Sequence, residues 1–405
     1  MALTITATPP PARDTGATMA APSTAQFEPA ETSPASSLSA GTVPLHITDK
    51  AAVAEALRGP HPVLTHVNAD TTWLLHLPYP ESQCQSKAPA GRSRFNVLLD
   101  PWLSGPQSDV ASWFSTQEHV VPSCVESIEA LNGVLRELEG MGTDGGDGEE
   151  GEGAEGSYID VVAISHEFTD HCHESTLRQL PRNTPVFAPD KAAKLIQSWN
   201  HFDTVIETPA FAGHGMNWKD TLNHPALPPW LGIGRIVSPG NALYYHSAIM
   251  VAFPSSMEGL YNNNNRNKGD AVIYSPHGVE ASELLRLGLG TATAKLRILA
   301  LLHGMHDVRL ALKQLNLGGV NGVTAARGLS AKYWCATHDE VKKGKGLIAP
   351  LLRRTRWVLE DAVRREGRKS GNGGGKKKVG EREGTRDDSE FNFFELGSGD
   401  VLVLE

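Results

Sequence analysis

The run Ile159-Asp160-Val161-Val162-Ala163-Ile164-Ser165-His166-Glu167-Phe168-Thr169-Asp170-His171 decides how the rest of the chain is read. Five of its first six residues are apolar, the mark of a short strand buried on both faces. The run then breaks into His166, Asp170 and His171, side chains that bind metals or move protons. A loop and one helical turn after such a strand can aim all three at one cation. The strand gives a rigid support, and the loop stays open to substrate. Imidazole plus carboxylate suits zinc, manganese or iron. A structural alternative stands beside this one, with Asp170 capping a helix and the histidines serving as ordinary polar groups.

A hydrophobic strand leading into His166-x-x-x-Asp170-His171 resembles the His-x-His-x-Asp-His signature of the metallo-β-lactamase fold superfamily. Phe168 stands where that signature has its second histidine. Upstream, Val63-Leu64-Thr65-His66 and Thr72-Trp73-Leu74-Leu75-His76-Leu77 are two strand-like runs around a polar turn. Phe95-Asn96-Val97-Leu98-Leu99 then runs into Asp100-Pro101-Trp102-Leu103. This is similar to the opening of the same superfamily, where the Asp-Pro turn lies beside the active site; a turn fixed by Pro101 explains Asp100 equally well. The resemblance covers roughly residues 62–365 and implies an α/β fold, a four-layer αββα sandwich. Within the superfamily it points to the lactonase and phospholipase branch.

Composition sets wider bounds. The chain has 405 residues, 40% of them hydrophobic, and a net charge of −9, which lends no support to general nucleic-acid binding. Cys84, Cys124, Cys172 and Cys335 are scattered with no Cys-x-x-Cys, which favours free thiols in a reducing compartment. No run approaches the roughly 18 apolar residues that a membrane span needs. The start lacks a basic stretch followed by an apolar one, so no secretory signal is expected and a cytoplasmic location is. The expected partner is a small-molecule substrate, without nucleic acid or membrane span; oligomeric state is left open.

Residues 1–40 are Ala, Pro, Ser and Thr with few large apolar side chains, and read as a disordered tail. The main domain is placed at 41–365. A helix capped by Thr48 or Asp49 carries Ala52, Val53, Ala56 and Leu57. Ser123-Cys124-Val125-Glu126 reads as a capping box, opening an amphipathic helix with Val125, Ile128, Leu131, Leu135 and Leu138 on one face and Gly140 at its end. Residues 142–157 form an acidic, glycine-rich insertion without the register of a calcium loop. Beyond the motif come a short helix from Glu174, a strand at 184–188, a helix capped by Asp190, and a strand at 204–207. Residues 209–241 read as a long loop, 244–253 as a strand, 262–268 as a polar excursion, and Ala271-Val272-Ile273-Tyr274 as a strand ending near His277. The run 296–302 leads into His303, a helix closes at Leu329, and 331–337 leads into His338. A helix at 351–365 completes the domain, 366–390 reads as a basic, polar loop, and 391–405 holds a returning strand at 401–404.

Strand ends that deliver His166, Asp170 and His171, then His277, His303 and His338, form a recurrence that 16 histidines scattered at random would not make. In the superfamily one metal is held by the first two motif histidines and a later one. The other is held by the Asp-His pair and a final histidine, with an aspartate bridging the two. Carried over, Asp170, His171 and His338 remain, while Phe168 and His277 alter the first site and its bridge. The later histidine of the first site is His246 or His303. One ion is therefore preferred to two, zinc first and manganese or iron as alternatives, held by some of His166, Asp170, His171, His277 and His338. His166 or His303 is then proton shuttle or further ligand, and Asp170 is general base if the metal sits towards His166. The implied chemistry is attack by metal-activated hydroxide on a small ester, lactone or phosphate ester. The competing expectation is a degenerate member of the fold that binds a ligand or partner without catalysis. Lys342-Lys343-Gly344-Lys345 and Lys376-Lys377-Lys378 read as solvated charge, although Lys342 or Lys343 near His338 would pair with a substrate phosphate.

Overall fold

The computed structural model describes residues 43–80, 91–108, 111–141, 156–211, 213, 217–237, 245–255, 268–291, 295–347, 349–371 and 391–405. The 1–40 tail, residues 142–155 of the acidic insertion, 262–267 of the polar excursion and 372–390 of the basic loop lie outside them.

The first half runs β1 (Leu45–His46), α1 (Lys50–Arg58), β2 (Val63–His66), β3 (Trp73–Pro78), β4 (Arg94–Leu99), β5 (Thr116–Glu118), α2 (Ile128–Gly140), β6 (Val161–Ala163), α3 (Glu174–Leu177), β7 (Val186–Ala188), α4 (Asp190–Ser198) and β8 (Val205–Glu207). The second runs α5 (Trp218–Leu222), β9 (Gly232–Val237), β10 (Ser247–Pro254), β11 (Gly269–Ser275), α6 (Ala281–Arg286), β12 (Leu296–His303), β13 (Asp307–Leu310), β14 (Lys313–Asn316), α7 (Gly319–Leu329), β15 (Tyr333–Cys335), β16 (Lys343–Lys345), β17 (Leu352–Thr355), α8 (Leu359–Gly371), β18 (Asn392–Phe394) and β19 (Asp400–Val403). One sheet has the order β1-β19-β2-β3-β4-β6-β7-β8, the other β18-β15-β12-β11-β10-β9.

Alternation builds the layers, because successive strand residues face opposite ways. Trp73, Leu75, Val97, Leu99, Val161 and Ala163 of the first sheet meet Ile249, Val251, Val272, Tyr274 and Leu302 of the second in one buried cluster. Their neighbours Leu74, Leu98 and Val162 turn outward, against Leu131 and Leu135 of α2 and Ile196 of α4. On the other outer face Met250, Ile273 and Leu301 meet Leu284 of α6, Val323 and Leu329 of α7 and Ala362 of α8. Helix, sheet, sheet, helix is therefore the layering, as expected.

Several boundaries differ from the sequence reading. Helix α2 starts at Ile128 with Ser127 as its cap, while the hydroxyl of Ser123 donates to Leu103 O. The stretch 209–241 holds α5 and β9 rather than an uninterrupted loop, and 351–365 divides into β17 and the start of α8, which runs on to Gly371. The β13–β14 hairpin pairs with β17, and β16 pairs with β5; these two small sheets stand at the end of the sandwich that carries the motif.

Candidate metal centre

Four loops after strand ends converge. Asp100, following β4, is buried in the left-handed backbone region at φ 41°, and its carboxylate receives Ser165 N at 2.7 Å and the Ser165 hydroxyl at 2.5 Å. This fastens the loop after β6 to the loop after β4. His171 N and Cys172 N both donate to Phe168 O, at 2.9 and 2.7 Å, a tight turn that swings His171 back towards His166. Gly278, at φ 79°, turns the chain sharply after β11 and leaves His277 facing the first sheet's loops. His338, at φ 58°, follows β15, and its backbone N donates to Asp70 O at 2.8 Å.

The outer nitrogens of the imidazoles are all engaged, which fixes what the inner ones present. His171 Nδ1 donates to Asp100 Oδ2 at 2.6 Å. His277 Nδ1 donates to Asn316 Oδ1 at 2.9 Å. The Ser165 hydroxyl donates its hydrogen bond to Asp100, so its oxygen is left to accept from His166 Nδ1 at 2.8 Å. In the neutral form of each ring Nε2 then carries the lone pair. His166 Nε2 and His277 Nε2 lie 3.0 Å apart, and buried His171 Nε2 has no hydrogen-bond partner among the described residues. His166, His171 and His277 offer ligand atoms within 4.8 Å of one another, an arrangement that could hold a divalent cation. Burial, with neighbouring imidazoles adding to it, holds His166 and His277 well below the ordinary histidine value, so both are neutral donors. Burial also pushes His171 down, but Asp170 and Asp100 outweigh it and raise that group.

A second group shares His171. Asp170, His171 and His338 also offer ligand atoms within 4.8 Å of one another. His338 Nδ1 faces the Asp70 carboxylate at 3.2 Å, and its Nε2 lies 3.8 Å from Asp170 Oδ2. Lys342 reaches the same oxygens, its Nζ 2.6 Å from Asp70 Oδ2 and 3.0 Å from Asp170 Oδ2. Burial alone would raise Asp170. The ammonium and the imidazoles outweigh it and hold the carboxyl well below its usual range.

A cavity of about 520 Å³ is lined by Asp170, His277, His338 and Lys342 together with Phe168, Tyr245, Leu310, Leu315, Val341 and Leu352. Phe168 stacks edge-on against His166, ring centroids 4.8 Å apart, so the residue in the signature's second histidine position packs against the first and lines the pocket.

Of the residues singled out from the sequence, His166, Asp170, His171, His277 and His338 come together. His303 does not. It lies on the helix side of the second sheet, its Nδ1 donating to Gly304 O at 2.7 Å and its Nε2 3.0 Å from the Asn321 amide of α7. His246 is held elsewhere too, by Leu315 O at 2.8 Å. Asp70 and Asn316 were missed: short polar side chains in turns carry no signal of their partner. Lys342 lies beside His338, the one condition under which it was expected to matter.

No protein-family model matches the chain, and no curated protein matches it. Among solved structures it is similar to an isothiocyanate hydrolase from Delia radicum gut bacteria, at 15% identity and a TM-score of 0.45 over 85% of this chain and 99% of that one. It is similar to a metallo hydrolase from the archaeon Ignicoccus hospitalis, at 10% identity and a TM-score of 0.40 over 76% of this chain and 92% of that one. A metallo-β-lactamase fold protein from Bacillus subtilis gives 11% identity and a TM-score of 0.39, over 84% of this chain and 98% of that one. Independently of these likenesses, two facing sheets with helices outside them, and loops that meet from the strand ends of both halves, give this chain the four-layer αββα sandwich that the sequence resemblance implied.

Proposed function

We propose that the protein is a metal-dependent hydrolase of a small ester, lactone or phosphate ester, working with one divalent cation held by His166, His171 and His277. Zinc is the first choice for an all-imidazole set, with manganese or iron as alternatives, and binding would displace the proton that the raised His171 favours. The carrying observation is the trio of converging imidazoles, each with its outer nitrogen held by an acceptor. When bound, the cation would polarise the scissile group and lower the pKa of a coordinated water.

The chain's own groups do the rest. His338 has its Nδ1 on Asp70, an imidazole–carboxylate pair that turns Nε2 towards Asp170 and the cavity, placed to take a proton from an attacking water. Apolar walls from Phe168, Leu310 and Leu352 favour a substrate with an apolar body and exclude water around the reacting bond. A cavity of this size suits a small molecule rather than a nucleic acid.

Metal analysis of the purified protein tests this reading, with near one equivalent expected. His171→Ala and His277→Ala should lose the metal while keeping the far-ultraviolet circular dichroism of the parent. His338→Ala should keep the metal and lose kcat by about 10²-fold or more, the usual range for a removed general base. A parent protein without metal, or both ligand variants with full metal, would leave a binding protein of the same fold.

A further inference from the structure

We propose that the Lys342 ammonium takes the place of a second metal ion, sitting between Asp70 and Asp170 and limiting the centre to one cation. The inference rests on the single-cation reading above and supplies its physical cause.

The ammonium is built in. Lys342 Nζ lies 2.6 Å from Asp70 Oδ2 and 3.0 Å from Asp170 Oδ2, and its side chain is 8% exposed. It also lies 5.4 Å from the centre of the Trp102 ring. The backbone around it cannot swing away cheaply. Two residues before, Glu340 accepts from Val120 N and Val121 N, at 2.6 and 2.8 Å, and its other oxygen is 2.6 Å from His119 Nδ1. One residue after, β16 begins and pairs with β5 in the register Lys343 to Glu118. A lysine held on both sides by the 117–121 segment has one direction in which to extend, into the carboxylates.

Its target is the oxygen a second metal would need. Asp170 Oδ2 faces His338 Nε2 at 3.8 Å and Lys342 Nζ at 3.0 Å, so a cation on Asp170 and His338 would compete with the ammonium for one carboxylate. Charge decides the competition. The centre holds three buried carboxylates, those of Asp70, Asp100 and Asp170. One divalent cation on the imidazoles together with the Lys342 ammonium balances them. A second divalent ion would leave two positive charges uncompensated in a buried place, which is strongly unfavourable. Substituting a neutral side chain for Lys342 leaves the carboxylates short of positive charge, and a second metal ion becomes the compensating partner.

The test is metal stoichiometry and spectroscopy rather than turnover. Parent, Lys342→Met and Lys342→Gln proteins are loaded with excess Mn²⁺ and desalted, then measured for metal per chain and by electron paramagnetic resonance. The expected result is one equivalent and an isolated-ion spectrum for the parent, and close to two equivalents with an exchange-coupled spectrum for either variant. Metal should also raise the melting temperature of the variants more than that of the parent. One equivalent in all three proteins overturns the role of Lys342 and leaves the single-cation reading standing. Two equivalents in the parent overturns both, and a parent without metal removes the hydrolase reading itself.

Discussion

At the scale of one residue, Asp100 orients His171 and the Ser165 loop from outside the two candidate ligand groups. It takes three hydrogen bonds, from Ser165 N, the Ser165 hydroxyl and His171 Nδ1, in a backbone conformation at φ 41° that suits Asp or Asn. Asp100→Asn keeps the turn but offers an amide N–H where a carboxylate oxygen stood. It then competes with His171 for the donor role and favours the tautomer whose Nε2 carries the proton. Metal affinity should fall by about 10- to 100-fold, as for other lost outer-sphere carboxylates, with the melting temperature of the metal-free protein little changed. Competition against a chromogenic chelator reads this directly, and equal affinities would deny Asp100 its role. The imidazoles themselves were legible because each follows an apolar run. Asp70 and Lys342 were not, since they meet across a separation of more than two hundred residues that no local pattern records. His303 follows an equally good strand, but the register shift between Ala271 and Val272 puts Leu299 and Ala300 side by side on the inner face. Alternation then resumes so that Leu302 faces inward and His303 faces α7.

At the scale of elements, close approach rather than hydrophobicity sets where the second helical layer sits. A Cβ on Gly322 of α7 would collide with the Trp334 ring of β15 and come within 3.1 Å of His303 Nδ1, so α7 rests directly on the sheet. Gly322→Ala should destabilise by about 1–3 kcal/mol, the range for an overpacked core. Gly133→Ala in α2, where a Cβ would meet nothing within 4 Å, should stabilise by about 0.5–1 kcal/mol through helix propensity. Urea titrations of the two variants should shift their midpoints in opposite directions; shifts of the same sign would contradict this account of α7. The same principle explains a stretch the sequence reading missed. Gly232 and Gly234 make 209–241 look like loop, yet both are strand residues of β9, and a Cβ on either would strike Leu222 of α5 at 2.8 or 2.6 Å. The β13–β14 hairpin escaped for a different reason: its strands are short, polar and half-exposed, so period-two burial never shows in their composition. By contrast β3, β4, β10 and β12 were readable from apolar content alone, because each is buried on both faces.

At the scale of the whole molecule, the two halves are laced together around the site, and this makes acid a global rather than a local stress. Trp73 Nε1 donates to the Thr337 hydroxyl at 2.8 Å, Tyr274 donates to Thr71 O at 2.9 Å, and the last strand, β19, lies between β1 and β2 in the first sheet. Three buried histidines outside the metal centre are held neutral in this frame. Burial, with Arg94 adding to it against a hydrogen bond to Asn96, pushes His76 down to about 3, and burial pushes His66 and His303 down to about 4. In the unfolded chain each returns to about 6.5. Between those values the unfolded state binds more protons, so the stability these groups supply is present above pH 6.5 and is lost as pH falls towards 4. Each group costs about 1.4 kcal/mol per pH unit in that window, and the three together about 4 kcal/mol, comparable to the whole stability of a typical domain within two units. Urea midpoints of the metal-free protein should therefore fall steeply from pH 6.5 to 5, with tryptophan fluorescence and circular dichroism changing together. His76→Gln removes one titrating group, although it also weakens the bonds to Asn96 at 2.7 Å and Thr65 at 2.9 Å. That variant should be less stable at pH 7 yet lose stability with acid less steeply than the parent. A parent protein equally stable at pH 7 and pH 5, or a variant with an unchanged slope, would show that these imidazoles are not buried neutral in the folded state.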